Sequence, residues 1–248
     1  MKLLNFIGNE FTDNGEDCKT ECPFCGSEAL EISKEPPHPF QCWKCKKTGN
    51  GYTIIKAFYD ALTSITPREA RRLEKMKPGI KYKAIKAEGI RALGGDFIFP
   101  VYNSEGSLTT LYKYSTSNNV CYSSPKPFSC SLLGLDRLKS TGKIYIAEGH
   151  WDYLALRSHE PDMNLLGLCG SSYPRKFISL LEGKNVVWLG DNDEAGQNGL
   201  QSLASAMVQT GQRANKLEYL DWGKVSIPSL PEIPLKFDTR DLIGELSK

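Results

Sequence analysis

The spacing of apolar residues changes twice along the chain, and each change predicts a different kind of element. Residues 52–95 have helical spacing, residues 96–114 have a period of two, and from Lys143 onward short apolar runs alternate with helical stretches. The first region predicts three helices and the second a hairpin. These elements are helices over Tyr52–Leu62, Thr66–Lys77 and Tyr82–Leu93, strands over Asp96–Tyr102 and Ser107–Tyr114, and a polar loop over 115–129.

After a short predicted helix at Leu132–Asp136, the remainder of the chain has a regular β/α pattern. Such alternation predicts a mostly parallel sheet with helices on both faces, so the fold class is α/β. The predicted strands are 143–147, 163–168, 185–189 and 215–220, and the predicted helices end at Ser158, Leu181 and Thr210.

Carboxylates follow two of these strands at the point where each strand ends. Glu148 follows the strand 143–147, and Asp191 and Asp193 follow the strand 185–189. In open α/β sheets, ligands bind at this edge. Clustered carboxylates repel one another, and an all-oxygen site suits Mg²⁺ or Mn²⁺. Asp238 is a candidate further ligand. The alternative is an acidic turn that caps a helix.

Four of the eight cysteines have the spacing of metal ligands. Two C-x-x-C pairs lie sixteen residues apart, which predicts a closed, structural zinc site. The second half of this ribbon interleaves aromatic residues with lysines, which predicts contacts with nucleic-acid bases and phosphates. The alternative is that the aromatic residues only cover the metal site. The zinc ligands are Cys22, Cys25, Cys42 and Cys45, and the candidate nucleic-acid contacts are Phe40, Trp43, Lys44, Lys46 and Lys47.

Charge is distributed unevenly, although the net charge of the 248 residues is only +2. Residues 64–95 carry a net charge of +6, which suits a polyanion that runs past an acidic, metal-loaded site; the alternative is a solvated helix face. No apolar run is long enough for a membrane span, and the first residues do not have the pattern of a signal peptide, so a cytoplasmic protein with reduced thiols is expected. No Walker A, G-x-S-x-G or H-E-x-x-H motif is present.

The strings E-G-x-x-D at Glu148–Asp152 and D-x-D-E-A-G at Asp191–Gly196 resemble the TOPRIM fold, which DnaG-type primases, topoisomerases, OLD nucleases and RecR share. Along the chain, the four-cysteine ribbon comes first, a hairpin that carries Lys113 follows, and the TOPRIM strings come last. This order of domains resembles the primase half of phage primase–helicase proteins. The domains that this resemblance implies are a zinc-ribbon template-binding domain (1–51), a helical basic linker (52–95), an N-terminal subdomain of the RNA polymerase core (96–142) and a TOPRIM catalytic domain (143–248).

The resemblance implies a DNA primase, a nucleotidyltransferase that makes short RNA primers on single-stranded DNA from ribonucleoside triphosphates. Glu148 would act as acid or base or position the 3′-hydroxyl and the metal, and Asp191 and Asp193 would bind Mg²⁺. Lys113 would hold nucleotide phosphates, and the alternative is a solvated hairpin residue. Asp238 lies in the string Lys-Phe-Asp-x-x-Asp, which departs from the usual Lys-Asp-x-x-Asp. A replicative helicase is expected to be a separate chain.

Two other functions fit parts of the same pattern. A RecR-like recombination module pairs a four-cysteine finger with a TOPRIM fold and binds DNA without catalysis, but residues 1–17 are too short for the helix-hairpin-helix that usually precedes the finger. A TOPRIM nuclease would degrade labelled single-stranded DNA in the presence of Mg²⁺. A primase would leave that DNA intact and make RNA.

Overall fold

The structure, a computed structural model, describes residues 10–123, 132–170, 172–225, 233–234 and 236–246. The start of the chain and most of the second half of the predicted loop 115–129 lie outside the described residues. No helix in the described part of the chain is long and apolar enough to cross a membrane. The chain forms two compact units: the first comprises the described parts of Met1–Ser64, Ile90–Val101 and Ser107–Ser129, and the second those of Ile65–Gly89, Tyr102–Gly106 and Cys130–Lys248.

The first unit begins with a five-stranded antiparallel sheet and a helix that packs on the same core. Helix α1 (Gly51–Ala61) begins at a capping box, in which the Asn50 side chain accepts hydrogen bonds from the N–H groups of Tyr52 and Thr53. Ile54 and Ile55 of this helix are buried in the same hydrophobic core as the inward-facing residues of the five-stranded sheet. The strands, in sheet order, are β1 (Phe11–Asn14), β2 (Asp17–Thr20), β3 (Leu30–Ser33), β4 (Phe40–Cys42) and β5 (Thr48–Gly49).

A second antiparallel sheet contains the predicted hairpin. Its strands, in sheet order, are β6 (Arg91–Leu93), β7 (Asp96–Tyr102), β8 (Leu108–Ser115) and β9 (Val120–Ser123). Strands β7 and β8 match the prediction closely, but β9 lies where a loop was predicted. Strand β6 pairs with β7 across Gly94-Gly95, and both glycines have positive φ, as a two-residue hairpin requires.

The predicted third helix is therefore wrong in its second half. Helix α3 spans only Tyr82–Ala87, and Gly89, with φ +67°, ends it in the left-handed region. The next residues leave the helix and pair with β7. Residues 52–95 accordingly do not form one linker in the structure, because helix α1 and strand β6 belong to the first unit, whereas α2 (Pro67–Met76) and α3 belong to the second.

The second unit is built on a five-stranded sheet that is parallel except at one edge, as the β/α pattern predicts. Strand β11 (Ile144–Ala147) lies at its centre and pairs in parallel with β12 (Leu165–Leu168) and β13 (Asn185–Leu189), and β10 (Leu132–Leu133) pairs with β12 in the antiparallel direction. The strands, in sheet order, are β10 (Leu132–Leu133), β12 (Leu165–Leu168), β11 (Ile144–Ala147), β13 (Asn185–Leu189) and β14 (Lys216–Tyr219).

Helices cover both faces of this sheet. Tyr153 of helix α4 (His150–His159) packs on Gly167, whereas Gly199 of helix α5 (Glu194–Thr210) packs on Trp188. Leu166, next to Gly167 on β12, shares a core cluster with Trp188, so the two helices lie on opposite faces. Residues 175–181 form a 3₁₀ helix on the α5 side, and α6 (Thr239–Leu246) packs on α4.

Candidate active site

The carboxyl ends of the central strands bring Glu148 and Asp191 into direct contact. Glu148 follows β11 and Asp191 follows β13, and the ladder of these parallel strands continues to the Glu148 N–H, which donates to Leu189 O. The backbone N–H of Asp191 donates to Glu148 Oε2 at 2.9 Å. The prediction that Glu148 lies beside the Asp-x-Asp turn is confirmed.

The Asp191 carboxyl lies in an environment that opposes its ionisation. Burial, followed by the negative charges of Asp152, Glu148, Asp238 and Asp193, raises its pKa to about 8. Its Oδ1 is buried and has no hydrogen-bond partner among the described residues. Burial also raises the pKa of Glu148, and the charge of Asp193 adds to this effect. The site therefore gathers more negative charge than its own hydrogen bonds satisfy.

Asp193 has the capping role that the sequence left as an alternative. Its backbone is extended, and its Oδ1 accepts a hydrogen bond at 2.9 Å from the N–H of Gly196, so it is the N-cap of helix α5. The cap engages one carboxylate oxygen, and its charge still acts on Glu148 and Asp191.

The C-terminal segment adds Asp238 to the same edge of the sheet. The N–H of Asn192 donates to Phe237 O at 2.9 Å, and the N–H of Lys236 donates to Asn192 O at 3.0 Å. Asp238 is itself held on both oxygens, since Oδ1 accepts from Asp241 N at 2.7 Å and Oδ2 from Arg240 Nη2 at 2.8 Å. Burial raises the pKa of Asp238.

Asp152 is the most deeply buried of these acids, with 5% of its surface exposed. Its Oδ1 accepts a hydrogen bond at 3.0 Å from the backbone N–H of Arg240. Burial and the charge of Asp238 raise its pKa to about 7. Asp152 thus joins helix α4 to the start of α6. The sequence singled out Asp152, but it did not identify Arg240 as its partner.

Two cationic side chains border the acidic cluster, and sequence reasoning missed both. Arg240 binds Asp238, and the pKa of Lys77 is lowered by burial and by the charge of Arg240. The Lys77 ammonium lies 5.2 Å from the centre of the Trp151 ring. Arg240 could have been noticed because it lies between Asp238 and Asp241 in the chain, but no sequence pattern indicates that Lys77 lies near these carboxylates.

The glycines of both motifs are required by close packing. A Cβ on Gly190 would lie 2.3 Å from Trp188 Nε1, and a Cβ on Gly196 would lie 2.3 Å from the carbonyl oxygen of Asp191. A Cβ on Gly149 would lie 2.8 Å from Asp152 Oδ2. The backbone can bring the carboxylates this close only because these positions carry no side chain.

The donor set of this edge fits a hard divalent cation. Its ligands are oxygens only, one of them buried and unpartnered, and a bound cation would relieve the repulsion that raises the pKa of Asp191. The carboxylate oxygens do not form a set of three within 4.8 Å among the described residues. Mg²⁺ suits this spacing because it usually keeps several waters and takes one or two carboxylates.

The first unit holds the second candidate metal centre. The Sγ atoms of Cys22, Cys25, Cys42 and Cys45 all lie within 4.8 Å of one another. Cys22 Sγ is 3.9 Å from Cys45 Sγ, and Cys25 Sγ is 3.7 Å from Cys42 Sγ. Tetrahedral zinc with Zn–S bonds of about 2.3 Å requires S–S separations of about 3.8 Å. The predicted four-cysteine site is confirmed as a cluster that fits zinc.

The ribbon also presents an aromatic and cationic surface. Trp43 is 53% exposed and Phe24 is 37% exposed. The ammonium of Lys46 lies 5.6 Å from the centre of the Trp43 ring, and that of Lys47 lies 5.4 Å from the Phe24 ring. We call Phe24, Trp43, Lys46 and Lys47 the ribbon surface. Lys44 lies beside it in the chain and is exposed.

Phe40 does not belong to this surface, which corrects the expectation that it contacts bases. It is 5% exposed and lies in the core of the first unit, with its ring stacked on that of Phe24 at 5.8 Å. Phe40 alternates with outward-facing Gln41 on β4, so its side chain faces inward. Phe24, which the sequence analysis did not single out, is the more exposed ring of the pair.

Lys113 lies on β8, opposite Tyr122 of β9. Its ammonium is 3.4 Å from Asp96 Oδ2, and about a third of its side chain is exposed. The lysine is therefore held by an acidic partner on the neighbouring strand. This ion pair is compatible with both the phosphate-binding role and the solvated-hairpin alternative.

Comparisons with known proteins agree with this architecture. Residues 145–225 match the family model described as Toprim-like, which covers β11 to β14 and therefore both acidic motifs. No curated protein matches the chain.

Solved structures resemble the chain over most of its length. The zinc-binding and RNA polymerase domains of the Aquifex aeolicus primase align with 100% of this chain and 81% of theirs, at 16% identity and a TM-score of 0.54. The primase fragment of the bacteriophage T7 primase–helicase aligns with 96% of this chain and 97% of its own, at 16% identity and a TM-score of 0.52. A DnaG primase catalytic domain bound to single-stranded DNA aligns with 79% and 75%, at 15% identity and a TM-score of 0.60. The chain thus has the fold of DnaG-type primases: a Toprim sheet together with a four-cysteine ribbon.

Proposed function

We propose that the protein is a DNA primase, a DNA-directed RNA polymerase that makes short RNA primers on a single-stranded DNA template. The observation that carries this proposal is the contact of Glu148 with Asp191 at the carboxyl edge of a Toprim sheet, in a chain that shares the fold of primases over nearly its whole length. Neither the RecR-like nor the nuclease alternative is better supported, because the solved structures that align with nearly the whole chain are described as primases.

Asp191 is the proposed principal ligand of a catalytic Mg²⁺ or Mn²⁺, because its buried oxygen has no other partner. Asp193 offers the oxygen that does not cap helix α5, and Asp238 contributes charge from the C-terminal segment. When bound, the cation would stabilise the negative charge that develops on the phosphate as the 3′-oxygen bonds to the α-phosphorus and pyrophosphate leaves. Glu148, with its raised pKa, is suited to accept or position the proton of the attacking 3′-hydroxyl.

Lys113 is proposed to hold the phosphates of the incoming nucleotide. Its backbone is held in place by the pairing of β8 with β9. Its ammonium is paired with Asp96, and a bound phosphate would take the place of this carboxylate. A lysine binds phosphate as a point charge, which is sufficient for positioning.

The ribbon is proposed to bind the template. Structural zinc would hold the four cysteines, while the ribbon surface and Lys44 offer stacking faces and cations to single-stranded DNA. One structure with the same fold is described as bound to single-stranded DNA, which is the class of partner proposed here. The other proposed partners are ribonucleoside triphosphates and a replicative helicase, acting together in the cytoplasm.

The decisive experiment supplies varied oligonucleotide templates, labelled ribonucleoside triphosphates and Mg²⁺ or Mn²⁺. Template-dependent RNA of a few nucleotides is expected, with the labelled DNA left intact. Asp191→Asn should abolish synthesis and preserve template binding. Asp162→Asn is the matched control, because Asp162 is exposed and outside the site. Degraded DNA without RNA would indicate a nuclease, and DNA binding without either activity would indicate a RecR-like module.

A further inference from the structure

A cleft of about 480 Å³ opens beside the Asp-x-Asp turn in the second unit. The ends of strands β13 and β14, the first turns of helix α5 and the 3₁₀ turn Trp222–Lys224 form its walls. The volume lies in the range of about 300–1,000 Å³ that is usual for small-molecule sites. Residues that matter for its chemistry are Asp191, Gln197, Gln201, Tyr219, Asp221 and Trp222.

One wall of the cleft carries amides. Gln197 and Gln201 are four residues apart on α5, so they lie on the same side of the helix, and both are exposed. Each amide offers both hydrogen-bond donors and an acceptor. Two such groups, one helical turn apart, match a planar ligand whose edge carries donors and acceptors, as a nucleobase does.

Another wall carries aromatic rings. Trp222 donates from Nε1 to the carbonyl oxygen of Gly190 at 2.9 Å and meets the Phe237 ring edge-on at 5.9 Å, so its orientation is fixed. Tyr219, at the end of β14, is 59% exposed. Exposed or anchored aromatic rings of this kind stack on bases.

The walls of the cleft offer no cation to a phosphate group. Among the described residues that line it, the acidic ones are Asp191 and Asp221, and none is Lys or Arg; Asp221 is paired with Lys224, outside the lining, at 2.9 Å. A triphosphate would find no cationic partner in these walls, whereas an uncharged base and sugar need none. Asp191, at one end of the cleft, is also the proposed cation ligand, and a cation there would attract the phosphates.

We propose that this cleft holds the base and ribose of a ribonucleoside triphosphate whose phosphates lie at the cation site of Asp191. The inference deepens the proposed function and rests on it, because it assigns the nucleoside subsite of the same active site. Gln197 and Gln201 hydrogen-bond the edge of the base, and Tyr219 and Trp222 offer faces to its ring.

The test uses 8-azidoadenosine triphosphate with Mg²⁺, photocrosslinked to the full chain and mapped by mass spectrometry. Labelled peptides should contain Gln197–Gln201 or Tyr219–Gly223, and unlabelled ATP should protect them. Gln201→Glu should lower this labelling and raise the KM for ATP about three- to tenfold, because a hydrogen bond is lost and a third carboxylate enters the cleft. The matched control is Gln209→Glu, since Gln209 is exposed on the same helix about 12 Å further along and does not line the cleft.

The possible outcomes distinguish a wrong assignment of the cleft from a wrong proposal of primase activity. Primer synthesis with equal labelling in Gln201→Glu and Gln209→Glu, or with label only at other peptides, overturns the cleft assignment and leaves the primase proposal intact. ATP-protected labelling of the cleft in a protein that makes no primers supports the nucleoside subsite and overturns the primase proposal.

Discussion

At the scale of single residues, the candidate active site is a set of carboxyl groups whose mutual repulsion is only partly offset by hydrogen bonds and by Arg240. Asp191 and Asp152 have pKa values raised to about 8 and about 7, chiefly by burial. In the unfolded chain both would titrate near the ordinary value of about 3.9. The folded state therefore binds more protons than the unfolded state between about pH 4 and pH 8, so its stability falls as the pH rises through that window.

The cation-free protein should consequently be least stable at the alkaline end of this window. Asp191→Asn removes one of the two charges, so at about pH 8 without divalent cations its Tm should exceed that of the parent by at least about 2 °C. At about pH 4 the two Tm values should agree, because Asp191 is protonated in the folded parent. Mg²⁺ should raise the Tm of the parent and have little effect on the variant.

Thermal unfolding followed by circular dichroism at both pH values, with and without Mg²⁺, measures this difference. Asp162→Asn is the control, since it changes an exposed carboxyl outside the site. An equal gain in Tm from both substitutions at alkaline pH would show that general charge, rather than the acidic cluster, sets the pH dependence.

The motif glycines give a second prediction at this scale. Gly196→Ala places a Cβ 2.3 Å from the carbonyl oxygen of Asp191, and that contact is with backbone, so no side chain can move to relieve it. The substitution should lower the free energy of unfolding by about 1–3 kcal/mol and should displace Asp191. Urea unfolding measures the loss. Gly170→Ala should be nearly neutral, because nothing lies within 4 Å of its added Cβ.

Predictions about single residues were confirmed where the residue directly follows a predicted strand, because the end of the strand determines where that residue lies. Glu148 and Asp191 follow adjacent parallel strands, so topology alone brings them together. Phe40 could not be placed in this way, because its burial depends on the pairing of β4 with β3 and β5 and not on its neighbours in the chain. Lys77 lies near the site only because the folded chain brings it close to Arg240, and no sequence pattern around Lys77 indicates this contact.

At the scale of elements, the same distinction holds between local and long-range signals. Helix α5 was predicted over the residues that form it, because an Asp N-cap and Gly211 with φ +70° mark its ends. The predicted helix 82–93 failed because Arg91–Leu93 pairs with Asp96–Ile98, and this pairing outweighs the local helical spacing. Strand β9 was missed for a similar reason, since Val120–Ser123 is a short run inside a polar stretch and its pairing with β8 is not a local signal.

The ribbon gives the prediction at the element scale. Cys42→Ser removes one of four thiolates, so the zinc content of the purified chain should fall from about one ion to below about half. Because a small four-cysteine ribbon is expected to need zinc for its folding, template-dependent initiation should fall sharply, while extension of a preformed primer should be less affected. Cys121→Ser is the control, since Cys121 lies outside the four-cysteine cluster.

Zinc measured by elemental analysis and RNA synthesis with and without a primer test this prediction together. Loss of zinc together with normal initiation would show that the ribbon is not needed for template recognition. Retention of one zinc ion by Cys42→Ser would show that three of these cysteines, with water or another group as the fourth ligand, are sufficient to hold the metal.

At the scale of the whole molecule, the chain divides its chemistry between two compact units. The first unit holds the four-cysteine cluster, the ribbon surface and Lys113, and the second holds the carboxylates and the cleft. A primase needs both a template-binding element and a phosphoryl-transfer site, so the two functions should be separable by substitution. Damage to one unit should leave the measured property of the other unchanged.

Trp43→Ala tests this separation from the side of the ribbon. Trp43 is 53% exposed, and Lys46 lies over its ring, so it offers a stacking face beside a cation. Loss of one base stack should weaken single-stranded DNA binding by about 1–3 kcal/mol, whereas Asp191→Asn should bind DNA like the parent. Fluorescence anisotropy with a labelled oligonucleotide at fixed salt measures both. Tyr122→Ala, which removes an aromatic ring that is 43% exposed on β9, is the control. Equal losses in Trp43→Ala and Tyr122→Ala would place template binding on a broader surface of the first unit, and a comparable loss in Asp191→Asn would show that the two units do not act separately.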